Sequence, residues 1–140
     1  MAKKVAVIYF SKTGNTQELA EAIGRGAESA GAAVDIFLTD EWKNKNLKKY
    51  QAFAFGGPAD GDEQVQKSIA RIFAEAKADL GDRKVILFGS WGWGNGVFLE
   101  NWRKDALAAG VNVIDTVACK KFPEDADVQR AEEAGKGLVK

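Results

Sequence analysis

The sequence predicts an α/β fold in which a parallel β-sheet carries helices on both of its faces. Five apolar runs, rich in Val, Ile, Phe and Ala, alternate with amphipathic stretches along the 140 residues. The first run, residues 3–10, is almost unbroken, which is typical of a strand buried on both faces of a parallel sheet. Strands that alternate with helices favour a parallel sheet, because each helix returns the chain to the beginning of the next strand.

A polar loop, residues 11–16, follows this strand and leads into an amphipathic helix. From Gln17 onward, Leu19 and Ile23 fall on one face at helical spacing, and acidic residues fall on the other. We expect this helix to end near Gly31, because glycine is common just after a helix C-terminus.

The other elements follow from the same two patterns, apolar runs for strands and a 3.6-residue apolar period for helices. They are a strand at 33–38 whose partial alternation suits a sheet edge, a polar stretch at 39–50 with a short helical turn near its end, a strand at 51–56, a helix at 63–80, a strand at 83–89, a loop at 90–96, a helix at 97–109, a strand at 111–118 and a helix at 124–140. Glycines at 81 and 110 end two of these helices. No linker or repeat interrupts the series, so we expect one domain that spans residues 1–140.

Composition argues against several classes of function. The chain has no His, which argues against a zinc site and a Ser-His-Asp hydrolase. Its 20 basic and 20 acidic residues are evenly spread, which argues against nucleic-acid binding. No apolar run approaches the roughly 18 residues that cross a membrane, and the N-terminus lacks a signal-peptide pattern. With a single cysteine, Cys119, and no internal disulfide, we expect a cytoplasmic protein.

Three loops, at 11–16, 57–63 and 90–96, follow the first, third and fourth predicted strands. The carboxyl ends of parallel strands share one edge of the sheet, and ligands bind beyond that edge where the winding direction reverses. We therefore expect the three loops to meet at one site.

The loop at 11–16 has the composition of an anion site. A helix that begins there leaves its first amides without intrahelical partners, and its dipole favours a negative charge. Gly14 permits a positive φ or the close approach of a ligand. The spacing fits neither the P-loop nor the dinucleotide fingerprint. The loop therefore indicates a phosphate site, with Thr16 or Asn15 as the candidate helix cap. The alternative is an ordinary capped helix after a strand, since Ser, Thr and Asn are the preferred caps.

Taken together, the three loops closely resemble those of the flavodoxins, small FMN-binding electron carriers. The resemblance rests on Ser11-Lys12-Thr13-Gly14-Asn15-Thr16, on Gly61-Asp62-Glu63 and on Gly89-Ser90-Trp91-Gly92-Trp93-Gly94-Asn95-Gly96. It covers the whole chain and is closest to the short-chain branch, because no insertion separates the fifth strand from the last helix. It implies a flavodoxin-like three-layer sandwich with strand order 2-1-3-4-5. It also implies a monomeric, low-potential one-electron carrier that exchanges electrons with redox proteins, such as a reductase or ferredoxin-like donors and acceptors.

The resemblance also implies a role for each loop. The first would hold the FMN 5′-phosphate, the ring of Trp93 would stack on the isoalloxazine, and Trp91 would either border the flavin or pack under its loop. Gly61 matches a glycine whose preceding peptide flips on one-electron reduction and stabilises a neutral semiquinone on the way to the hydroquinone. The implied FMN-binding residues are Ser11, Lys12, Thr13, Gly14, Asn15, Thr16, Pro58, Ala59, Asp60, Gly61, Ser90, Trp91, Gly92, Trp93 and Gly94.

Two features depart from the family's pattern. Asp60 stands where short-chain members carry Met, and an ionised Asp60 about 6 Å from the ring would oppose a reduced, anionic flavin by roughly 3 kcal/mol at an effective dielectric constant near 20. Alternatively, Asp60 is a solvated turn residue that points away from the ring. The net charge is zero, whereas flavodoxins are usually strongly acidic, so the partner's identity stays open. Asp62 and Glu63 still make this edge locally acidic.

Two other functions are compatible with the predicted winding. A small FMN-dependent NAD(P)H:quinone-type reductase would need extra loops or a dimer to build a second pocket, and 140 residues leave little spare chain. A phosphorylated receiver domain would need acidic residues after the first strand and an Asp after the third, where this chain has Phe10-Ser11 and Gly56-Gly57-Pro58. The sequence therefore favours an electron carrier that is not an enzyme.

Overall fold

A computed structural model of the protein describes residues 3–12, 14–60, 64–92 and 96–140, apart from the side chains of Lys45 and Asp60. Its strands are β1 (Lys4–Tyr9), β2 (Ala33–Leu38), β3 (Ala52–Gly56), β4 (Ala59–Asp60), β5 (Gln64–Val65), β6 (Lys84–Trp91) and β7 (Asn112–Lys120). Its helices are α1 (Asn15–Ser29), α2 (Lys67–Ala76), α3 (Val97–Ala108) and α4 (Asp125–Gly137), with 3₁₀ turns at Asn44–Lys49 and Lys77–Asp79. Within the described ranges, no helix is long and apolar enough to cross a membrane.

Five of the strands form one parallel sheet in the order β2-β1-β3-β6-β7. Counted among themselves, these five have the predicted order 2-1-3-4-5, and their labels differ only because the short antiparallel pair β4 and β5 was not predicted. The winding direction reverses between β1 and β3, so the carboxyl ends of these two strands flank the place where such sheets bind ligands. The predicted α/β fold is confirmed.

The sheet has an apolar layer on each face. Alternate residues of β1 supply both layers, since Val5 and Val7 face α1 and α4, whereas Ala6 and Ile8 face α2 and α3. All four are completely buried, which explains why this strand reads as an unbroken apolar run. The two layers hold the strands of the sheet and the beginnings of α1 and α3 in fixed positions.

Two predicted boundaries are wrong because backbone pairing between distant segments decides them. The helix predicted at 63–80 begins at Lys67, since Gln64 and Val65 pair with β4. The Gln66 side chain caps this helix, because it accepts hydrogen bonds from the amides of Ser68 (2.9 Å) and Ile69 (3.2 Å). Strand β6 extends two residues into the predicted loop at 90–96, since Ser90 and Trp91 pair with the last two residues of β7. The predicted helix-ending glycines at 31, 81 and 110 do have positive φ angles.

Tyr50 provides a pH-dependent contribution to stability on the α2–α3 side of the sheet. The Tyr50 hydroxyl is buried and donates a hydrogen bond to Asp35 Oδ2 at 2.8 Å. Burial, and then the hydrogen bond and charge of Asp35, raise the pKa of Tyr50 to about 12. Because this pKa lies above the value of about 10 in an unfolded chain, the protonated phenol stabilises the fold below pH 10. That stabilisation is lost as the pH rises from about 10 to about 12.

We therefore expect Tyr50→Phe to reduce the fall in unfolding free energy between pH 10 and pH 12. Urea unfolding of both proteins at several pH values in this range measures the effect. Tyr9 and Cys119, whose pKa values are also raised chiefly by burial, remain in both proteins and contribute equally. The same pH dependence in wild type and variant would contradict the assignment to Tyr50.

Candidate cofactor site

The carboxyl ends of β1, β3 and β6 are tied together at one edge of the sheet. The amide of Phe10 donates to the carbonyl of Gly56 (3.0 Å), and the amide of Gly57 donates to the carbonyl of Phe88 (3.2 Å). Glycine is needed for this close approach, because a Cβ atom on Gly89 would lie 2.1 Å from the carbonyl oxygen of Gly57. The three predicted loops therefore leave the sheet from neighbouring strands, as the sequence predicts.

The first loop is shaped by the Ser11 hydroxyl. Ser11 Oγ accepts hydrogen bonds from the amides of Gly14 (3.0 Å) and Gln17 (3.4 Å). Gly14 precedes α1 with a φ of 90°, a conformation that an L-residue rarely adopts. Neither Asn15 nor Thr16 caps the helix, because both residues are already in the first turn of α1. The side chain that accepts from a first-turn amide is that of Ser11.

Thr16 and Ser90 join the first loop to the third. Their hydroxyl oxygens lie 3.0 Å apart in a hydrogen bond, and both side chains are buried, at 1% and 7% exposure. This bond fixes the first turn of α1 against the end of β6. Thr16 therefore serves the site as a link between two loops rather than as a helix cap.

Within the described part of the chain, the space around Gly14 in front of α1 holds no other protein atom. A Cβ atom built on Gly14 would meet no described atom within 4 Å, and the same holds for Gly92 in the third loop. Among the described residues, no protein group accepts a hydrogen bond from the amides of Asn15 or Thr16. Such a helix N-terminus suits an anion, and the backbone of both loops is accessible to a ligand. Lys12 is exposed, as expected for a residue that points to solvent.

The second loop contains a short ribbon. Ala59 pairs with Val65 and Asp60 pairs with Gln64, while the carbonyl of Pro58 accepts a hydrogen bond from the amide of Gln66 at 3.2 Å. This ribbon directs the chain outward from the end of β3. Gly61, Asp62 and Glu63 lie outside the described residues, as does the Asp60 side chain. Their roles toward a flavin therefore stay predictions.

Trp91 packs against the α2–α3 face and against Gly96. Its half-buried indole contacts the apolar layer on the α2–α3 face. A Cβ atom on Gly96, where φ is 74°, would come within 3.1 Å of the indole Nε1. These contacts favour packing among the two alternatives for Trp91. Thr13, Trp93, Gly94 and Asn95 lie outside the described residues, so the predicted stacking by Trp93 stays a prediction.

The turn after β7 also lies at this edge, although the sequence reasoning did not include it in the site. The Lys121 amide donates to the carbonyl of Trp91 (2.7 Å), and Lys120 Nζ lies 5.6 Å from the centre of the Trp91 ring. Only the register between β6 and β7 places these lysines beside Trp91. Local sequence patterns do not contain that information.

The bond between Thr16 and Ser90 leads to a prediction about stability. Replacing Thr16 with Val retains the side-chain shape but leaves the buried Ser90 hydroxyl without its partner, which costs about 1–3 kcal/mol. We expect a loss of this size in the urea unfolding of the FMN-free protein.

Two further variants isolate this bond from the other effects of the substitution. Thr16→Ser keeps the hydroxyl and should lose less stability than Thr16→Val. In the double variant with Ser90→Ala both hydroxyls are absent, so its loss should be smaller than the sum of the two single losses. Strict additivity would show that the hydrogen bond does not contribute.

Known proteins share this fold and are similar to this chain in sequence over most of its length. The family profile described as flavodoxin matches residues 7–135. A flavodoxin from Megasphaera elsdenii is 31% identical over 123 residues, which are 87% of this chain and 90% of that protein. The solution structure of two-electron reduced Megasphaera elsdenii flavodoxin superimposes with a TM-score of 0.85 at 29% identity, covering 95% of this chain and 98% of that one. A putative diflavin flavoprotein from Synechocystis is 35% identical over 145 residues, covering 96% of this chain but 23% of that protein.

Proposed function

We infer that this chain, which belongs to the flavodoxin family, is an FMN-binding electron carrier. Its match to the family extends over residues 7–135, and its similarity to the Megasphaera elsdenii flavodoxin extends over 87% of the chain. Bound FMN supplies a ring that takes up and releases electrons. The protein's own residues need only bind that ring, orient it and leave one of its edges accessible.

One observation supports the position of FMN in particular. No described residue lies within 4 Å of a Cβ atom built on Gly14, which precedes α1 at the carboxyl edge, beside the point where the winding reverses. Backbone amides and the helix dipole bind a phosphate there without a basic side chain, which agrees with the exposed position of Lys12. We propose that the first loop holds the phosphate through Ser11, Lys12, Thr13, Gly14, Asn15 and Thr16.

The flavin ring would then lie across the second and third loops. The hydrogen bond between Thr16 and Ser90 keeps the phosphate and ring subsites at a fixed separation. Trp91 packs against the apolar layer on the α2–α3 face, and we propose that Trp93 covers the ring. The proposed ring-binding residues are Pro58, Ala59, Asp60, Gly61, Ser90, Trp91, Gly92, Trp93 and Gly94.

A stepwise reductive titration of the FMN-loaded protein tests this function. Under anaerobic conditions, visible absorbance should report two separate one-electron steps, as a carrier between one-electron partners requires. A single two-electron step would contradict a one-electron carrier. So would rapid bleaching by NADH or NADPH without an added reductase, which would support the quinone-type reductase instead.

The remaining features of the proposal concern the protein's surroundings. We propose that residues 1–140 act as one monomeric domain in the cytoplasm and that separate redox proteins, such as a reductase or ferredoxin-like donors and acceptors, exchange electrons with it. The buried thiol of Cys119 supports a reducing compartment. Sedimentation of the FMN-loaded protein tests the monomer, since a stable dimer would double the measured mass.

A further inference from the structure

The turn between β7 and α4 presents a basic and aromatic surface beside the proposed FMN site. It consists of Lys120, Lys121 and Phe122, and we refer to it as the basic turn. Phe122 is 69% exposed, the highest value among the large apolar side chains that the structure describes. Both lysines are exposed as well. A large exposed apolar ring directly after two exposed lysines is an unusual use of the surface.

The basic turn is held in place at both of its ends. On one side, the Lys121 amide donates to the carbonyl of Trp91 at 2.7 Å. On the other side, the amide of Glu124 donates to the Asp127 carboxylate at 2.9 Å, as part of a capping box that begins α4. An aromatic ring on such an anchored turn loses little conformational freedom when a partner covers it.

The conformation of Lys121 also distinguishes this turn from an ordinary connection. Its φ of 60° makes it the non-glycine residue with a positive φ in the described part of the chain. That conformation is uncommon for lysine and is unfavourable by roughly 1–2 kcal/mol. The strain is tolerated in a turn that places Lys120 beside the Trp91 ring and binds the Lys121 amide to the Trp91 carbonyl.

We propose that the basic turn is a docking surface for an acidic redox protein. This inference rests on the proposed function and adds the chemistry of the partner. Carboxylates on the partner would pair with Lys120 and Lys121, while an apolar socket would cover Phe122. Aromatic side chains are frequent centres of interfaces, and charges around them steer association. Docking here places the partner against the turn that contacts Trp91, at the edge where the flavin is proposed to bind.

The neighbouring acidic residues leave the positive charge of the basic turn available. Asp127 accepts a hydrogen bond from the Glu124 amide, and Glu124 and Asp125 lie at the positive end of the α4 dipole. Among the described residues, neither Lys120 nor Lys121 forms an ion pair. The Lys120 ammonium lies over the face of Trp91, at 5.6 Å from the ring centre, and this ring is not charged.

Electron transfer from a reduced, acidic [2Fe–2S] ferredoxin to the oxidised FMN-loaded protein tests the proposal. Stopped-flow absorbance gives the second-order rate constant at several ionic strengths. In the double variant Lys120→Gln/Lys121→Gln, the rate constant should be about threefold lower for each lost charge at low ionic strength. This difference from wild type should vanish at high salt. Phe122→Ala should be on the order of fivefold slower even at high salt, because its contribution does not depend on charge.

Matched substitutions at the opposite edge of the sheet provide the controls. Lys48 and Lys49 are exposed lysines in the 3₁₀ turn that leads into β3, and Leu107 is 42% exposed near the end of α3. Lys48→Gln/Lys49→Gln and Leu107→Ala should change the ferredoxin rate by less than about twofold. Equal slowing by the two lysine pairs would overturn the proposed docking surface.

A basic cytochrome c gives the opposite charge test. Its reduction by the reduced FMN-loaded protein should become faster in Lys120→Gln/Lys121→Gln, because two like charges are removed. An unchanged or slower rate would overturn the proposal. Reduction by dithionite through methyl viologen separates the two inferences, since it needs no protein partner. If the FMN-loaded protein does not take up single electrons from the viologen, the proposed function is wrong. If it does, but the basic-turn substitutions leave the rate of electron transfer from ferredoxin unchanged, only the docking surface is wrong.

Discussion

Replacing Gly14 with Ala is expected to weaken FMN binding by about a hundredfold, the equivalent of roughly one or two lost hydrogen bonds to a charged phosphate. Among the described residues, no atom lies within 4 Å of a Cβ atom built at this position. The added methyl group therefore does not clash with the described part of the protein, but it takes up space at the residue that precedes the α1 amides. We propose that the phosphate occupies that space.

The same substitution has a separate effect on stability. Gly14 has a φ of 90°, which is unfavourable for alanine by about 1–2 kcal/mol. A loss of FMN affinity could therefore reflect either a blocked phosphate site or a strained loop. The experiment must separate these two causes.

Gly110→Ala provides the matched control. Gly110 has a similar φ of 86°, and a Cβ atom there also meets no atom within 4 Å. It follows α3 and precedes β7, at the opposite edge of the sheet. Both variants should lose about 1–2 kcal/mol in urea unfolding of the FMN-free protein, but only Gly14→Ala should raise the Kd for FMN.

Riboflavin, which lacks the phosphate, sharpens the test. Fluorescence titration should give equal riboflavin affinities for wild type and Gly14→Ala, since the methyl group is expected to disturb only the phosphate subsite. A parallel loss for both ligands would place the effect at the ring rather than at the phosphate. It would argue against the assignment of the first loop.

Local sequence patterns were sufficient for the main elements of the fold. The five parallel strands appear as apolar runs because helices cover both faces of the sheet, as the complete burial of Val5 and Ile8 in β1 illustrates. The partial alternation of residues 33–38 correctly indicated an edge strand. The strand order came from the resemblance to a family, since periodicity alone does not specify which strands are neighbours.

The boundaries that were wrong depend on contacts between distant residues. Val65 has the spacing of a helix residue relative to Ile69, but its backbone pairs with Ala59, and Gln66 then caps the shorter helix α2. Trp91 precedes a glycine and reads as part of a loop, but it pairs with Lys120 in β7. In both segments a tertiary backbone interaction prevails over a correct local pattern.

The chemistry of Thr16 was similarly hidden. Threonine near a helix N-terminus is usually explained as a cap, and the sequence gives no reason to connect it with a residue 74 positions away. In the folded protein the chain is turned by Gly14 and Ser11, so the Thr16 hydroxyl is available to Ser90. The loops of the site could be identified from the sequence, whereas the bond that joins two of them could not.

The packing of α1 against α4 gives the largest expected change in stability. A Cβ atom on Gly26 would lie 1.9 Å from the carbonyl oxygen of Glu132, and one on Gly135 would lie 2.1 Å from the carbonyl oxygen of Ile23. Both contacts are with backbone atoms, which cannot rotate away as a side chain can. We expect Gly26→Ala to lower the unfolding free energy by about 3 kcal/mol or more, because the two helices must separate.

Gly137→Ala is the matched control within the same pair of helices. A Cβ atom there would meet Ile114 Cδ1 at 3.5 Å, which is an ordinary contact. Glycine inside a helix is less favourable than alanine by roughly 0.5–1 kcal/mol, so this variant should be as stable as wild type or slightly more stable. Urea unfolding of the two FMN-free variants should therefore give changes of opposite sign. A small effect of Gly26→Ala would mean that the helices repack without loss.

The same substitution tests how the helix layer positions the site. Gly26 lies three turns along α1 from Asn15, so separation of α1 from α4 should also shift the helix N-terminus that we propose binds the phosphate. FMN affinity should then fall in Gly26→Ala although the substituted residue is remote from the cofactor. Because FMN binds only the folded state, excess FMN should restore part of the lost stability in proportion to the logarithm of its concentration over Kd. An unchanged Kd in a strongly destabilised Gly26→Ala would show that the edge loops, rather than the seating of α1, set the geometry of the phosphate site.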